Sequence, residues 1–177
     1  MTKEQTERFR MLIGDDSYTT LRTAEDNLLC MFSVMQRTLG VKGPFIDERI
    51  VDGWYRTSSF PIPQFSGADI RVVDNVEDMI REGNSGQYHW IVSDLEYGRD
   101  RVEGGLEVFE GINKTGLVKA IFTSSGDKNN LKRLQLQSKA DYFIAPALSE
   151  DSGSDKVNML AETIVKHYQI NELNGGK

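Results

Sequence analysis

The sequence predicts an α/β domain of the doubly wound class, in which a five-stranded parallel sheet lies between two layers of helices. Apolar runs alternate five times with stretches of helical spacing, the order that strand–helix units produce. Several of these runs end abruptly on polar residues. Because right-handed crossovers place the carboxyl ends of parallel strands at one edge of the sheet, we expect those polar residues to converge there.

The composition fits a single domain over residues 1–177 and limits the classes of function. The chain has 21 basic and 27 acidic residues and a net charge of -6, which argues against a nucleic-acid surface with its basic patch. No apolar run is long enough for a membrane span, and the polar N-terminus does not resemble a secretory signal. We therefore expect a soluble cytoplasmic protein.

Five strands are predicted, each an apolar run bounded by turn residues. They cover residues 10–14, 69–73, 88–93, 118–123 and 141–145. The run at 88–93 suits a buried central strand, because it is short, apolar and stopped by Asp94.

Helical spacing separates the strands. The first helix is expected from residue 17 to about residue 39, with Asp16 or Ser17 as its cap. Asn75 is expected to cap the second helix. The later helices are identified by their apolar faces: Val76, Met79 and Ile80; Leu106, Phe109 and Ile112; a weak pattern over 129–138; and Leu160, Ala161 and Ile164. Residues 171–177 are expected to form a tail.

Residues 41–67 interrupt this alternation. They contain three of the four prolines and five aromatic residues, and they are long for a simple connection. Their apolar content argues against plain disorder. We expect an ordered insertion between the first helix and the second strand that packs on the domain, and a partner-binding flap is the alternative.

Carboxylates are expected to meet at the carboxyl ends of the strands. Asp15 and Asp16 follow the first strand, Asp94 follows the third, and Thr123 ends the fourth. Three carboxylates in one crevice repel one another unless one is protonated or a cation is bound. Oxygen ligands with room for water suit Mg²⁺, and a hydroxyl beside them suits a phosphoryl group. Taken singly, Asp15 can equally be a helix cap and Thr123 an ordinary strand residue.

Five segments near the strand ends carry a more specific signal. They are residues 13–17, 92–94, 104–108, 122–125 and 140–146. In this order they resemble the receiver domains of two-component response regulators, the CheY-like family. The resemblance covers about 1–40 and 68–170, which is nearly everything except the insertion. It implies a (βα)5 sandwich of the flavodoxin-like or CheY-like type.

The same resemblance implies a role for each acidic residue. Asp94 would be the phospho-acceptor and would also contact the metal. Asp16 would bind Mg²⁺ directly, and Asp15 would bind it mainly through water. Glu96 would supply its backbone carbonyl to the metal.

Two further residues and the partners follow from the resemblance. Thr123 would hydrogen-bond the phosphoryl group, and Tyr142 would be the switch aromatic whose side chain follows that movement. The phosphodonor would be a sensor histidine kinase or a phosphotransfer protein, and the output would pass through protein contacts. Since no output domain fits in 177 residues, a stand-alone receiver, and not a metabolic enzyme, is expected.

The chain departs from the family at Ala145, where the family places a lysine directly before the proline. Loss of that charge should weaken phosphoryl transfer or switching. Lys128, just past the fourth strand, is a weak candidate for its replacement, and a solvated loop lysine is the alternative. Ala145 thus supports a second hypothesis, a pseudo-receiver that acts as an interaction module. A flavodoxin-like nucleotide binder is a third, although no glycine-rich phosphate loop follows the first strand.

Overall fold

The fold is seen in a computed structural model of the chain. It describes residues 7–16, 54–57, 60, 62, 64–98, 100, 103–123, 133–134, 136–145 and 152–175. The expected first helix, the first part of the insertion (41–53) and Lys128 lie outside these residues.

The described strands form one sheet. They are β1 (Phe9–Gly14), β2 (Trp54–Thr57), β3 (Ala68–Val73), β4 (Trp90–Ser93), β5 (Val118–Phe122) and β6 (Tyr142–Ile144). Their order across the sheet is β2-β3-β1-β4-β5-β6. The five expected strands pair in parallel as β3-β1-β4-β5-β6, which confirms the predicted parallel sheet. β4 begins at Trp90, two residues later than expected.

β2 was not expected, and it comes from the segment 41–67. It runs antiparallel to β3 at the edge of the sheet. The Arg71 guanidinium lies 5.4 Å from the centroid of the Trp54 ring, which also stacks on Tyr88 at 6.1 Å. Further along the segment, Phe60 stacks on Phe9 of β1 with ring centroids 4.6 Å apart. The described part of this segment therefore packs on the sheet through aromatic rings.

Three helices of eight residues or more are described: α1 (Val76–Gly83), α2 (Gly104–Gly111) and α3 (Ser152–Gly175). α1 begins after Asn75, whose side chain accepts a 2.8 Å hydrogen bond from the Asp78 N–H, as expected of a cap. The expectation of a tail from residue 171 is wrong for residues 171–175, because α3 contains no proline and no glycine between Gly153 and Gly175. No helix of the described residues combines the length and apolar character needed to cross a membrane.

Two apolar layers cover the two faces of the sheet. Met11, Ile13 and Trp90 point to the face covered by α3. Leu12 and Ile91 point to the other face, where α1 and α2 pack. Successive strand residues alternate between the faces, so neighbouring residues enter different layers. Helices on both faces of a parallel sheet confirm the predicted doubly wound α/β class.

Candidate functional site

The carboxyl ends of β1, β3 and β4 lie side by side. Gly14 and Ser93, the last residues of β1 and β4, are paired in register. The Asp94 N–H then donates to the Gly14 carbonyl at 2.8 Å, and the Asp15 N–H donates to the Val73 carbonyl at 3.1 Å. Backbone hydrogen bonds from the neighbouring strands therefore hold the two residues that follow β1 and β4.

This arrangement brings Asp15, Asp16 and Asp94 together in what we call the acid cluster. One carboxylate oxygen of each residue lies within 4.8 Å of the other two. Asp15 is only 5% exposed, whereas Asp16 and Asp94 are partly exposed. Like charges at this separation favour a bound cation, and three carboxylate oxygens with access to water match the ligands of a hard divalent ion. The acid cluster can therefore hold a metal ion.

The loop after β4 donates backbone hydrogen bonds to two members of the acid cluster. The Leu95 N–H donates to Asp94 Oδ1 at 2.7 Å, and the Gly98 N–H donates to Asp16 Oδ2 at 2.6 Å. Gly98 has a φ of +69°, a conformation that glycine adopts without steric cost. Glu96 lies between the two donors and is exposed. Glu96 was predicted from the sequence, whereas Gly98 was not, because the contact of Gly98 joins residues distant in sequence.

Tyr97 lies in the same loop and is only 6% exposed. The Ser93 hydroxyl donates to the Asp94 carbonyl at 2.9 Å, and the hydroxyl of Tyr97 is 2.9 Å from Ser93 Oγ. Since the single Ser93 proton is used, Tyr97 is the donor in the second bond. Burial raises the pKa of Tyr97, and the charges of the nearby carboxylates add to this rise, so the phenol keeps its proton.

Thr123 and Ala145 follow β5 and β6 at the same edge of the sheet. The Thr123 N–H donates to the Ile144 carbonyl at 3.0 Å, and Thr123 is 1% exposed. Ala145 is partly exposed and brings no charge to the position where the resembled family has a lysine. The structure thus places Thr123 at the expected edge, and its bond to a phosphoryl group stays a prediction.

Tyr142 lies away from the acid cluster, at the amino-terminal end of β6. Its ring stacks on Trp90 with centroids 5.5 Å apart and planes 7° from parallel. Trp90 opens β4, whereas Asp94 lies four residues on, about 13 Å along the strand. The Tyr142 hydroxyl is 2.9 Å from Nδ1 of His167 in α3. Its role as a switch residue stays a prediction.

The contact between His167 and Tyr142 was not predicted from the sequence. α3 runs on to Gly175, so the imidazole reaches the sheet from within the helix. Its spacing of seven from Leu160 and three from Ile164 was a usable signal, because both residues are buried on that helix face. Burial lowers the pKa of His167 and raises the pKa of Tyr142.

The fold is shared with solved receiver domains. No protein-family model matches the sequence, and no curated protein matches it. The chain is similar to the signal receiver domain of a Luxo repressor protein from Vibrio parahaemolyticus, with 16% identity, a TM-score of 0.51, and 96% of this chain and 99% of that chain covered. It is similar to the signal receiver domain of a DNA-binding response regulator from Colwellia psychrerythraea, with 13% identity, a TM-score of 0.51, and 91% and 98% covered.

A response regulator from Hahella chejuensis shows the same likeness, with 16% identity, a TM-score of 0.50, and 90% of this chain and 94% of that chain covered. The likeness extends over most of the chain in all three comparisons. At these identities it concerns the fold, whose parallel strand order and two helix layers were described above. The chain therefore has the fold of a CheY-like receiver domain of response regulators.

Proposed function

We propose that this chain is a signalling receiver, not a metabolic enzyme, which accepts a phosphoryl group on Asp94. Mg²⁺ would be held by Asp15, Asp16 and Asp94 and by the backbone carbonyl of Glu96. The observation that carries the proposal is the meeting of three carboxylates within 4.8 Å at the carboxyl edge of a receiver fold. That edge is where open parallel sheets place their ligands.

Asp94 acts as the nucleophile in the proposed step. A carboxylate oxygen attacks the phosphorus and forms an O–P bond, while the bond from phosphorus to the leaving group breaks. The leaving group keeps the electron pair and takes up a proton. The Leu95 N–H orients the carboxylate through Oδ1, and the Thr123 hydroxyl donates to a phosphoryl oxygen. Asp15, Asp16 and Asp94 would hold Mg²⁺, which would supply positive charge to offset the negative charge of the carboxylates and of the phosphoryl group.

The donor we propose is a phosphohistidine on a sensor histidine kinase or a phosphotransfer protein. Asp94 is partly exposed, so a group carried by another protein can approach it. The phosphorylated state would be read by a further protein through the surface around the site. The stand-alone organisation expected from the sequence stays a prediction.

Ala145 favours one alternative, a pseudo-receiver that binds a cation and a partner but does not transfer phosphate. A lysine after β6 would bring a positive charge close to the acceptor edge, and Ala145 brings none. Phosphoryl oxygens would then lack one charge-assisted hydrogen bond. The alternative predicts metal binding without a covalent product.

Intact-mass spectrometry after incubation with Mg²⁺ and acetyl phosphate tests the proposal. We expect a mass gain of one phosphoryl group that hydroxylamine removes and that Asp94→Asn abolishes. Asp74→Asn is the matched control, because Asp74 is an exposed aspartate directly after β3 and lies outside the acid cluster. A gain that persists in Asp94→Asn contradicts the proposal, and Mg²⁺ binding without any gain supports the pseudo-receiver.

A further inference from the structure

We propose that Tyr97 is the positioning residue of the acid cluster. Its hydroxyl holds the loop after β4 so that the Leu95 and Gly98 N–H groups stay on the carboxylates of Asp94 and Asp16. The identity of the cation rests on the proposed function, whereas the positioning itself rests on the contacts of this loop.

The Tyr97 ring lies in a tightly enclosed space beside Gly14 and Gly104. A Cβ added at Gly14 would lie 2.1 Å from the Tyr97 hydroxyl oxygen, and one added at Gly104 would lie 2.8 Å from Cδ2. Real side chains do not approach so closely, so the ring fills a slot that only glycines leave open. Gly14 directly precedes Asp15, and Gly104 opens α2. The Tyr97 ring thus packs between α2 and the end of β1, the strand that Asp15 and Asp16 follow.

A chain of two hydroxyl groups connects Tyr97 to the backbone of Asp94. Tyr97 donates to Ser93, and Ser93 donates to the backbone carbonyl of Asp94. These two hydrogen bonds therefore connect the loop to the backbone of Asp94, the proposed phospho-acceptor. On the other side, the Gly105 N–H donates to the Leu95 carbonyl at 3.0 Å and closes the loop onto α2.

The two backbone N–H donors lie on either side of Tyr97 in the sequence. The Leu95 N–H precedes Tyr97 by two residues and contacts Asp94, whereas the Gly98 N–H follows it by one and contacts Asp16. Asp94 follows β4 and Asp16 comes after β1, so the loop joins the two halves of the acid cluster. The carbonyl of Glu96 lies in the same short segment. Fixing the Tyr97 ring therefore fixes both donors and this carbonyl.

Tyr97→Phe is the direct test, because it keeps the ring and removes only the hydroxyl. Tyr88→Phe is the matched control: Tyr88 is 4% exposed, and its hydroxyl donates to Glu82 at 3.1 Å away from the acid cluster. We expect amide hydrogen exchange, measured by NMR without metal, to be roughly 2- to 12-fold faster at Leu95 and Gly98 in Tyr97→Phe, the range that one hydrogen bond produces. Tyr88→Phe should leave both rates unchanged.

Titration with Mg²⁺, followed by calorimetry, gives the second readout. We expect a dissociation constant roughly 2- to 12-fold higher for Tyr97→Phe and unchanged for Tyr88→Phe. Unchanged exchange in Tyr97→Phe, or equal changes in both variants, overturns the positioning role. If the wild-type protein does not bind Mg²⁺, the proposed function fails, and the exchange rates still decide the role of Tyr97.

Discussion

Two tyrosines whose hydroxyls are hydrogen-bonded differ in their burial and in the elements that they connect. Tyr97 is buried in the loop beside the acid cluster, and its partner Ser93 belongs to the adjacent strand end. Tyr142 is half-buried at the amino end of β6, and its partner His167 belongs to a helix. The first hydroxyl ties a loop to the sheet, whereas the second ties the sheet to α3.

The two hydroxyls differ in whether their partners titrate near neutral pH and in whether water can reach them. The partner of Tyr97 is Ser93, which does not titrate near neutral pH. Both residues are buried, so water cannot easily replace either hydroxyl. The partner of Tyr142 is His167, which does titrate. The His167 ring also contacts the Tyr168 ring, with centroids 5.1 Å apart. Tyr168 in turn lies 5.3 Å from Phe65 of the segment 41–67. Ring contacts through His167 and Tyr168 thus connect Tyr142 to that segment.

The largest effect is expected from Gly14→Ala, which tests whether the Tyr97 side is as closely packed as described. The new methyl group would meet the Tyr97 hydroxyl at 2.1 Å and Met79 Cγ at 2.5 Å. We expect a loss of about 1–3 kcal/mol in the free energy of unfolding, measured by urea denaturation. The double variant Gly14→Ala, Tyr97→Phe should recover part of this loss. A Gly14→Ala variant with unchanged stability would show that the space around Tyr97 is not closely packed.

A smaller effect is expected from removing each hydroxyl alone. Tyr97→Phe should lower the free energy of unfolding by about 1 kcal/mol, because one buried hydrogen bond is lost. Tyr142→Phe should lower the free energy of unfolding by less. Tyr142 is half-buried, so water can take the place of its hydroxyl beside His167. Urea denaturation at pH 7.5 measures both variants under the same conditions. A greater loss in Tyr142→Phe would reverse the assignment of the two regions.

The smallest effect is expected from pH. Burial lowers the pKa of His167 in the folded protein, with the charge of Asp141 opposing this, while in the unfolded chain it titrates near 6.5. The unfolded state therefore binds more protons below about pH 6.5, so stability is complete above that pH and falls as the pH decreases towards the lower folded pKa. The neighbours Tyr142 and Tyr168 stay neutral throughout, because burial raises the pKa of each.

Thermal unfolding at pH 7.5 and 5.5 measures this pH effect. The wild-type melting temperature should fall slightly more between these pH values than that of His167→Gln, which cannot titrate there. His89 is present in both proteins, so it cancels in the difference. Equal falls in the melting temperature of the two proteins would show that His167 does not contribute to the pH dependence of stability.

Much of the fold was predictable because its signals are local. The apolar runs of β1 and β3–β6 are read from neighbouring residues, and so are the Asn75 cap and the buried face of α1. The edge of the sheet that holds Asp15, Asp16 and Asp94 follows from strand order and right-handed crossovers. β2 was not predictable in this way, since four residues at a sheet edge form a strand only when a partner such as β3 is available.

The strand–helix alternation and the residues at the strand ends follow from local patterns in the sequence, because periodicity and turn chemistry act over a few neighbouring positions. Which polar groups come into contact depends instead on the tertiary packing. The Gly98 N–H reaches Asp16 across 82 positions, and the Tyr142 hydroxyl reaches His167 across 25. A hydrogen bond requires its atoms within about 3 Å, a condition that the packing of the sheet and its helices sets and that no local pattern encodes.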